Sequence, residues 1–394
     1  MKISLLKKRE DFDEIFLSSL KEFLIINSDR STEVVAPGCG EISFRKNSLL
    51  NLIYTNELPL SIKSEFTDEF KYSRNLLRHV LQNIYCYFAI RSPTQRIFSP
   101  IFFDIVNPSP EMLTWLILPG NHSIRIIDTK KNCSIVFAKK GFDINFLRTD
   151  ATTRISYPYL PAPKVLKSDP DWNWYIEERI HGLPMNKISD PDQINSLLIN
   201  AQRSMAKLRD DTLVKVNLND YWKKILSETD LLIDEIQQRE DTIGKDLYKM
   251  THEISKMNLS SPDYTLGLCQ SHGDFQLANI LAGEDSVWII DWEYSAQRST
   301  MYDFLIFTTM GRSYTGLASR LLNQYKNIKS NHGVNSWGYF QKGDPLYLLS
   351  IFLIEDLNLR LRELQTAAIF NRKDAIKPWL TQVQKFYSAV NNFR

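Results

Sequence analysis

Apolar residues recur at three- and four-residue spacing over residues 12–26 and 76–90, which predicts two helices flanking a loop that contains Pro37-Gly-Cys-Gly40. From Glu111 the texture changes. Residues 115–118, 123–127 and 133–138 are short runs rich in β-branched and aromatic side chains. The breaks at residues 119–122 and 129–132 suit hairpins, so an antiparallel sheet is expected, its third strand ending at Lys139-Lys140-Gly141. A last strand starts at Trp174 and stops at Gly182 and Pro184. Beyond Asp192 the helical period returns, in residues 194–208 and 221–236, and is interrupted once, at residues 271–292. There a short run at 278–281, a turn at Gly283-Glu-Asp285 and a strand at 287–290 are expected. No period of a solenoid recurs.

This order gives an α+β chain with two lobes, a small antiparallel β lobe followed by a larger, mainly α lobe. The expected boundaries are an N-terminal extension at 1–105, the β-rich lobe at 106–182 and the helical lobe at 183–394. In the extension His79, Tyr85, Tyr87 and Phe88 fall at helical spacing and read as core, and no chemistry is expected there.

Composition narrows the function classes. With 43% hydrophobic and 24% charged residues, the chain of 394 residues reads as globular and long enough for two packed units. A net charge of +2, without a basic patch, argues against nucleic acid as a partner. The four cysteines are far apart and form no CxxC pair, which argues against a zinc site or a disulfide scaffold and favours a reducing cytoplasm. The N-terminus turns charged before a signal peptide could develop, and apolar runs such as 347–354 fall well short of the roughly 20 residues of a membrane span.

The interrupted segment carries the chemistry. His272-Gly-Asp274 is followed by Asn279 five residues after the aspartate, then by a strand that delivers Asp291-Trp-Glu293. Phosphoryl transfer needs a carboxylate to orient and deprotonate an attacking hydroxyl, and hard oxygen ligands for magnesium against the nucleotide phosphates. Asp274, Asn279 and Asp291 are those residue types at matching spacing. As ordinary turn residues they would have no reason to keep it.

The segment resembles the catalytic loop of the aminoglycoside phosphotransferase and choline kinase family, H-G-D-x-x-x-x-N followed by a strand ending in I-D-W or I-D-F. Residues 112–370 are covered by the resemblance. It implies a protein-kinase-like two-lobed fold, ATP as co-substrate and Mg2+ as cofactor. It implies Asp274 as catalytic base, with Asn279 and Asp291 as metal ligands that also meet the nucleotide. Asp303 resembles the aspartate that braces the loop from below, and His272 is expected to orient the loop rather than to transfer protons.

Val136-Phe-Ala-Lys139 resembles the strand whose lysine contacts the nucleotide phosphates, with Lys140 as competitor because adjacent strand residues face opposite ways. The Gly-rich loop is reduced to Pro119-Gly-Asn-His-Ser123, with Gly120 its single glycine. No glutamate lies between Lys139 and Glu177, so the lysine's usual partner is missing and Asp150 is the replacement considered. Glu177, at the expected interlobe hinge, is either part of the nucleotide site or a solvated strand end.

For the acceptor, Glu355 and Asp356 lie beside the leucine stripe 349, 353, 357, 361 and 364, either as ligands for hydroxyls or amines or as charges on an amphipathic core helix. Neither the strongly acidic pocket of a polycation nor an aromatic cage is legible, Trp337 and Trp379 being isolated, so a sugar or glycan precursor is the expected acceptor. An aminoglycoside or amino-alcohol kinase and a nucleotide-binding pseudokinase scaffold are the alternatives.

Overall fold

The computed structural model describes residues 2–27, 31–73, 76–91, 93–238, 241–255, 265–283, 286–330, 344–366, 368–370 and 372–391. Trp337, Glu284 and Asp285 lie outside them. The chain divides into two compact units, residues 1–194 with 281–290, and residues 195–280 with 291–394.

The first unit is built on strands β1 (Glu33–Val35), β2 (Ile42–Asn47), β3 (Leu52–Thr55), β4 (Ile101–Val106), β5 (Trp115–Pro119), β6 (Ser123–Asp128), β7 (Cys133–Ala138), β8 (Val165–Ser168) and β9 (Trp174–Glu178). They form one nine-stranded sheet in the order β1-β4-β2-β3-β5-β6-β7-β9-β8. Its helices are α1 (Ile3–Arg9), α2 (Phe12–Asn27), α3 (Leu60–Glu65), α4 (Asp68–Lys71), α5 (Leu76–Ala89), α6 (Gln95–Phe98) and α7 (Ile144–Ser156).

The three central strands match the sequence expectation, paired antiparallel as Ile117↔Ile126 and Ile126↔Ile135. The extension does not. Residues 33–106 contribute four of the nine strands, β3 pairing directly with β5 through Ile53↔Ile117 and Tyr54↔Leu116. The boundary at 105 therefore cuts through one sheet. The strand β3 was hidden because both of its faces are covered, which removes the polar-apolar alternation: Leu52, Ile53, Tyr54 and Thr55 are all buried.

Successive residues face opposite helices. Ile53, Ile117 and Ile126 join Phe12, Phe16, Leu20 and Phe23 of α1–α2 in one cluster. Leu52, Tyr54, Leu116 and Ile127 join Cys86 and Ala89 of α5, and Ile90 just after it, in another. Burying each such side chain contributes about 1.5–3 kcal/mol, so α2 is a core element; Phe16→Ala alone would cost about 3–5 kcal/mol. The sequence reading of α5 as core holds on one side only, since Tyr87 and Phe88 are exposed. The first unit also holds β10 (Leu183–Pro184), pairing with the hairpin of β13 (Ile280–Ala282) and β14 (Val287–Ile289).

In the second unit β11 (Val214–Asn217), β12 (Thr265–Ser271) and β15 (Ala296–Ser299) form a small antiparallel sheet. Around it run α8 (Pro191–Thr212), α9 (Leu218–Gln237), α10 (Asp241–Ser255), α11 (Tyr302–Thr308), α12 (Leu317–Lys329), α13 (Pro345–Leu364) and α14 (Arg372–Asn391). α13 is buried on every side, its leucine stripe included, and starts on Asp344, whose carboxylate accepts the Leu346 N–H. Among the described residues no helix is long and apolar enough to cross a membrane.

Candidate active site

β12 ends at Ser271, still paired with Ala296, and releases the chain into the loop that carries His272, Gly273 and Asp274. The loop is anchored by Asp303 at the start of α11. Its two carboxylate oxygens accept the N–H groups of His272 (2.7 Å) and Gly273 (2.9 Å). Burial pushes the Asp303 carboxyl above its ordinary range, countered in part by His272 and these two N–H donors. His272 is buried, accepts the Asp274 N–H on Nδ1 (3.1 Å) and lies 4.6 Å from the Trp292 ring. It thus has the orienting contacts expected of it.

Gly273 has φ +87°, and a Cβ there would come within 2.3 Å of the Tyr294 carbonyl oxygen. Only glycine fits. Asp274 is largely buried, and its carboxylate is held from three directions: by Gln276 Nε2 (2.9 Å) and Asn279 Nδ2 (2.8 Å) on one oxygen, and by Arg312 Nε (2.7 Å) on the other.

Arg312 was not legible in the sequence. It also donates to the Gly273 carbonyl (2.8 Å) and pairs with Asp356 (3.1 Å), so one guanidinium ties the loop's backbone, its carboxylate and α13 together. Burial opposes its charge, but Asp274 and Asp356 outweigh it and hold the guanidinium well above its ordinary value. No motif marks Arg312, which follows α11 in a short turn, and only the fold brings it to Asp274.

The amide NH2 of Asn279 is committed to the backbone oxygen and carboxylate of Asp274. These bonds leave its amide oxygen as the group able to meet a cation. Asp291, beyond β14, has φ +64°, a left-handed conformation that aspartate tolerates better than most residues; it turns the chain sharply and leaves the side chain exposed. Among the described residues no three acids, histidines or cysteines gather into a metal cage. The two residues that the resemblance makes metal ligands offer one exposed carboxylate and one amide oxygen, both hard donors of the kind magnesium takes.

Glu355 and Asp356 are not free for an acceptor. Glu355 accepts Ser299 N–H, Ser299 Oγ–H and Tyr221 O–H, each at 2.6 Å. Asp356 pairs with Arg312 and Arg360 and accepts Trp379 Nε1–H (2.8 Å). Both are buried structural groups, and Trp379 is engaged with Asp356.

The first unit holds the lysine cluster. Phe137 faces α1–α2, and two residues on Lys139 faces the same way, its backbone N–H bonded to the His122 carbonyl. Its ammonium pairs with Glu10 at 2.5 Å, both side chains fully buried, and donates to the Asn121 carbonyl at 3.2 Å. Lys140 points to the surface and pairs with Glu22. Of the two candidates, Lys139 is the enclosed one.

Glu10 corrects two expectations: the lysine has a glutamate partner, and the first hundred residues supply it. The glutamate comes from 129 positions upstream, in the bend between α1 and α2. Asp150 instead pairs with Arg154 (2.9 Å) and takes a hydrogen bond from Tyr175. Arg9, beside Glu10, donates to the Asn121 carbonyl (2.7 Å) and to its side chain. The turn of residues 119–123 is thus pinned from the N-terminus. It is tight, with Gly120 N–H bonded to the Ser123 carbonyl at 2.8 Å, and a Cβ on Gly120 would come within 2.9 Å of that same oxygen.

Glu177 is neither a free hinge carboxylate nor a solvated strand end. It is buried between Arg125 (3.0 Å) and Arg154 (2.7 Å), and its residue pairs with both Ser134 and Val165 in the sheet. Burial disfavours the Arg154 charge, but Asp150, Tyr175 and Glu177 outweigh it and raise its pKa.

No family model and no curated protein matches this chain. Solved structures similar to it are small-molecule kinases. One is a Plasmodium vivax ethanolamine kinase, at 17% identity and TM-score 0.43, covering 84% of this chain and 96% of that one. A second is the aminoglycoside phosphotransferase APH(3'')-Id of Streptomyces rimosus, at 12% identity and TM-score 0.40, covering 62% and 92%. A third, a thermostable mutant of the aminoglycoside phosphotransferase APH(4)-Ia, has 12% identity and TM-score 0.45, covering 71% and 94%. At such identities and TM-scores, what the chain does must be argued from its own site.

Proposed function

We propose that this chain is an ATP-dependent phosphotransferase acting on a hydroxyl of a small molecule. The observation that carries the reading is the Asp274 carboxylate, fixed by Arg312, Gln276 and Asn279 on a loop braced by Asp303. A carboxylate so oriented suits a step in which the acceptor oxygen bonds to the γ-phosphorus, the bond to the bridging oxygen of ADP breaks, and the hydroxyl proton passes to Asp274. Asn279 Oδ1 and the Asp291 carboxylate would hold Mg2+, which when bound neutralises charge on the phosphates. Lys139 serves as a compact positive charge for the nucleotide phosphates, and Glu10 positions it. Glu10 also supplies the glutamate that the stretch between Lys139 and Glu177 lacks.

For the acceptor we propose a neutral polyhydroxylated compound, a sugar or glycan precursor. Glu355 and Asp356, the acids considered for hydroxyls or amines, are consumed by internal partners, and neither the acidic pocket of a polycation nor an aromatic cage is legible in the sequence. A cytoplasmic setting belongs to the same proposal and accords with four unbonded cysteines.

The test is acceptor-dependent ADP formation with magnesium across sugars, amino alcohols, aminoglycosides and nucleosides. Turnover greatest with a sugar is expected. Greater turnover with an amino alcohol or aminoglycoside overturns the acceptor reading. ATP binding with no turnover on any acceptor overturns the enzyme reading in favour of a scaffold.

A further inference from the structure

The helix α5 presents two chemically different sides. Toward the sheet it buries Cys86 and Ala89, with Tyr85 packed against the same cluster. Away from it, Leu77, Val80, Leu81, Ile84 and Phe88 recur at three- and four-residue spacing, and α6 beside it adds Ile97; these six side chains are 43 to 78% exposed. Scattered exposed leucines need no explanation, but a continuous apolar stripe along a whole helix does.

Within residues 70–103 the charges are of one sign, while Asp68 and Glu69 stand just before them and Asp68 of α4 pairs with Lys71 at 2.7 Å. Residues 70–103 contain Lys71, Arg74, Arg78, Arg91 and Arg96 and not one aspartate or glutamate, a local charge of +5 in a chain of net +2, which leaves −3 for the rest (+2 less +5). Arg78, Arg91 and Arg96 are exposed, and Arg91 lies over the Tyr87 ring at 4.0 Å. Two copies of such a face would repel each other. The helix has 14 residues, too few to span a bilayer but enough to lie along one. An apolar stripe with the exposed Arg78, Arg91 and Arg96 beside it, and with Asp68 of α4 already paired with Lys71, matches the layering of an anionic membrane surface, headgroups outside and acyl chains beneath.

We propose that α5 and α6 dock the protein peripherally on anionic lipid. The proposal is independent of the catalytic loop, and its test does not read activity. The full chain is sedimented with vesicles of phosphatidylcholine alone and with vesicles enriched in phosphatidylserine, at low and high salt. Enrichment on the anionic vesicles should exceed that on the zwitterionic ones by about tenfold or more, and weaken with salt. The double variant Leu77→Glu, Leu81→Glu changes two exposed side chains, so its thermal unfolding midpoint should match the parent's while anionic-vesicle binding falls to the zwitterionic level. Equal binding by parent and variant, or no preference for phosphatidylserine, overturns the proposal. So does sedimentation velocity showing a parent dimer that the variant loses without any vesicle binding, which would assign the face to a second copy.

Discussion

Asp274 and Lys139 are both buried charges held by named partners, but the partners come from very different distances along the chain. Two of the donors on Asp274, Gln276 and Asn279, lie within five residues of it, and the backbone anchor Asp303 follows about thirty later. The partner of Lys139 is 129 residues upstream, on a segment whose own sequence suggests only a helical bend. A local constellation leaves its spacing in the sequence. A pair joined by the tertiary fold leaves two unremarkable residues.

The comparison breaks first at Asp274. Asp274→Asn keeps the size of the side chain but removes the proposed proton acceptor, so kcat should fall about a hundredfold or more while ATP affinity, measured by calorimetry, is retained. Near-parent turnover in the purified variant would remove Asp274 from the role of base.

At the remote pair, Lys139→Met should raise the KM for ATP by about tenfold or more, and Glu10→Gln by a smaller factor in the same direction, since the ammonium remains but loses its counter-charge. Lys140→Met and Asp150→Asn serve as the contrast, each with little effect on that constant. If Asp150→Asn moves the KM for ATP and Glu10→Gln does not, the positioning role of the N-terminal segment is refuted.

Arg312 belongs to both kinds of support, being remote in sequence yet bonded to the local loop. Lysine cannot reproduce a guanidinium that reaches Asp274, the Gly273 carbonyl and Asp356 together, so Arg312→Lys is expected to lower kcat by about tenfold with the KM for ATP unchanged. A change in the KM for ATP alone would show that Arg312 acts elsewhere.

The smallest effect concerns stability and pH. Burial raises the Glu355 carboxyl above its ordinary value, against the pull of its Ser299 and Tyr221 hydrogen bonds, and Asp303 is raised by burial too. The folded state therefore holds these protons to higher pH than the unfolded chain does. Their contribution to stability is complete below the ordinary carboxylate range and is lost as pH rises through the raised values. Glu355→Gln removes one of the two titrations, so its urea midpoint should decline less over that window than the parent's. An equal or steeper decline in the variant would contradict the assignment.

How much of this was legible follows from particular residues. The strands β5, β6 and β7 announced themselves because β-branched runs alternate with short turns, whereas Leu52-Ile-Tyr-Thr55 and Ile101–Val106 passed unrecognised as strands. All of the first and the consecutive residues 103–105 of the second are buried, so both faces are covered there and the polar half of the pattern is erased. Glu177, Glu355 and Asp356 were visible as acids, but a sequence does not say whether an acid meets a ligand or an internal arginine.

The sequence by itself determined the α+β order, the position of the loop between β12 and β13 and the choice of Asp274, Asn279 and Asp291 as the proposed site, because those features depend on periodicity and on spacings of a few residues. Tertiary structure alone decided that residues 33–106 complete the sheet, that Glu10 is the carboxylate of Lys139, that Arg312 ties Asp274 to α13, and that one face of α5 stays exposed. Each depends on which surfaces the fold buries together, and burial couples residues whatever their separation along the chain, so no local pattern records it.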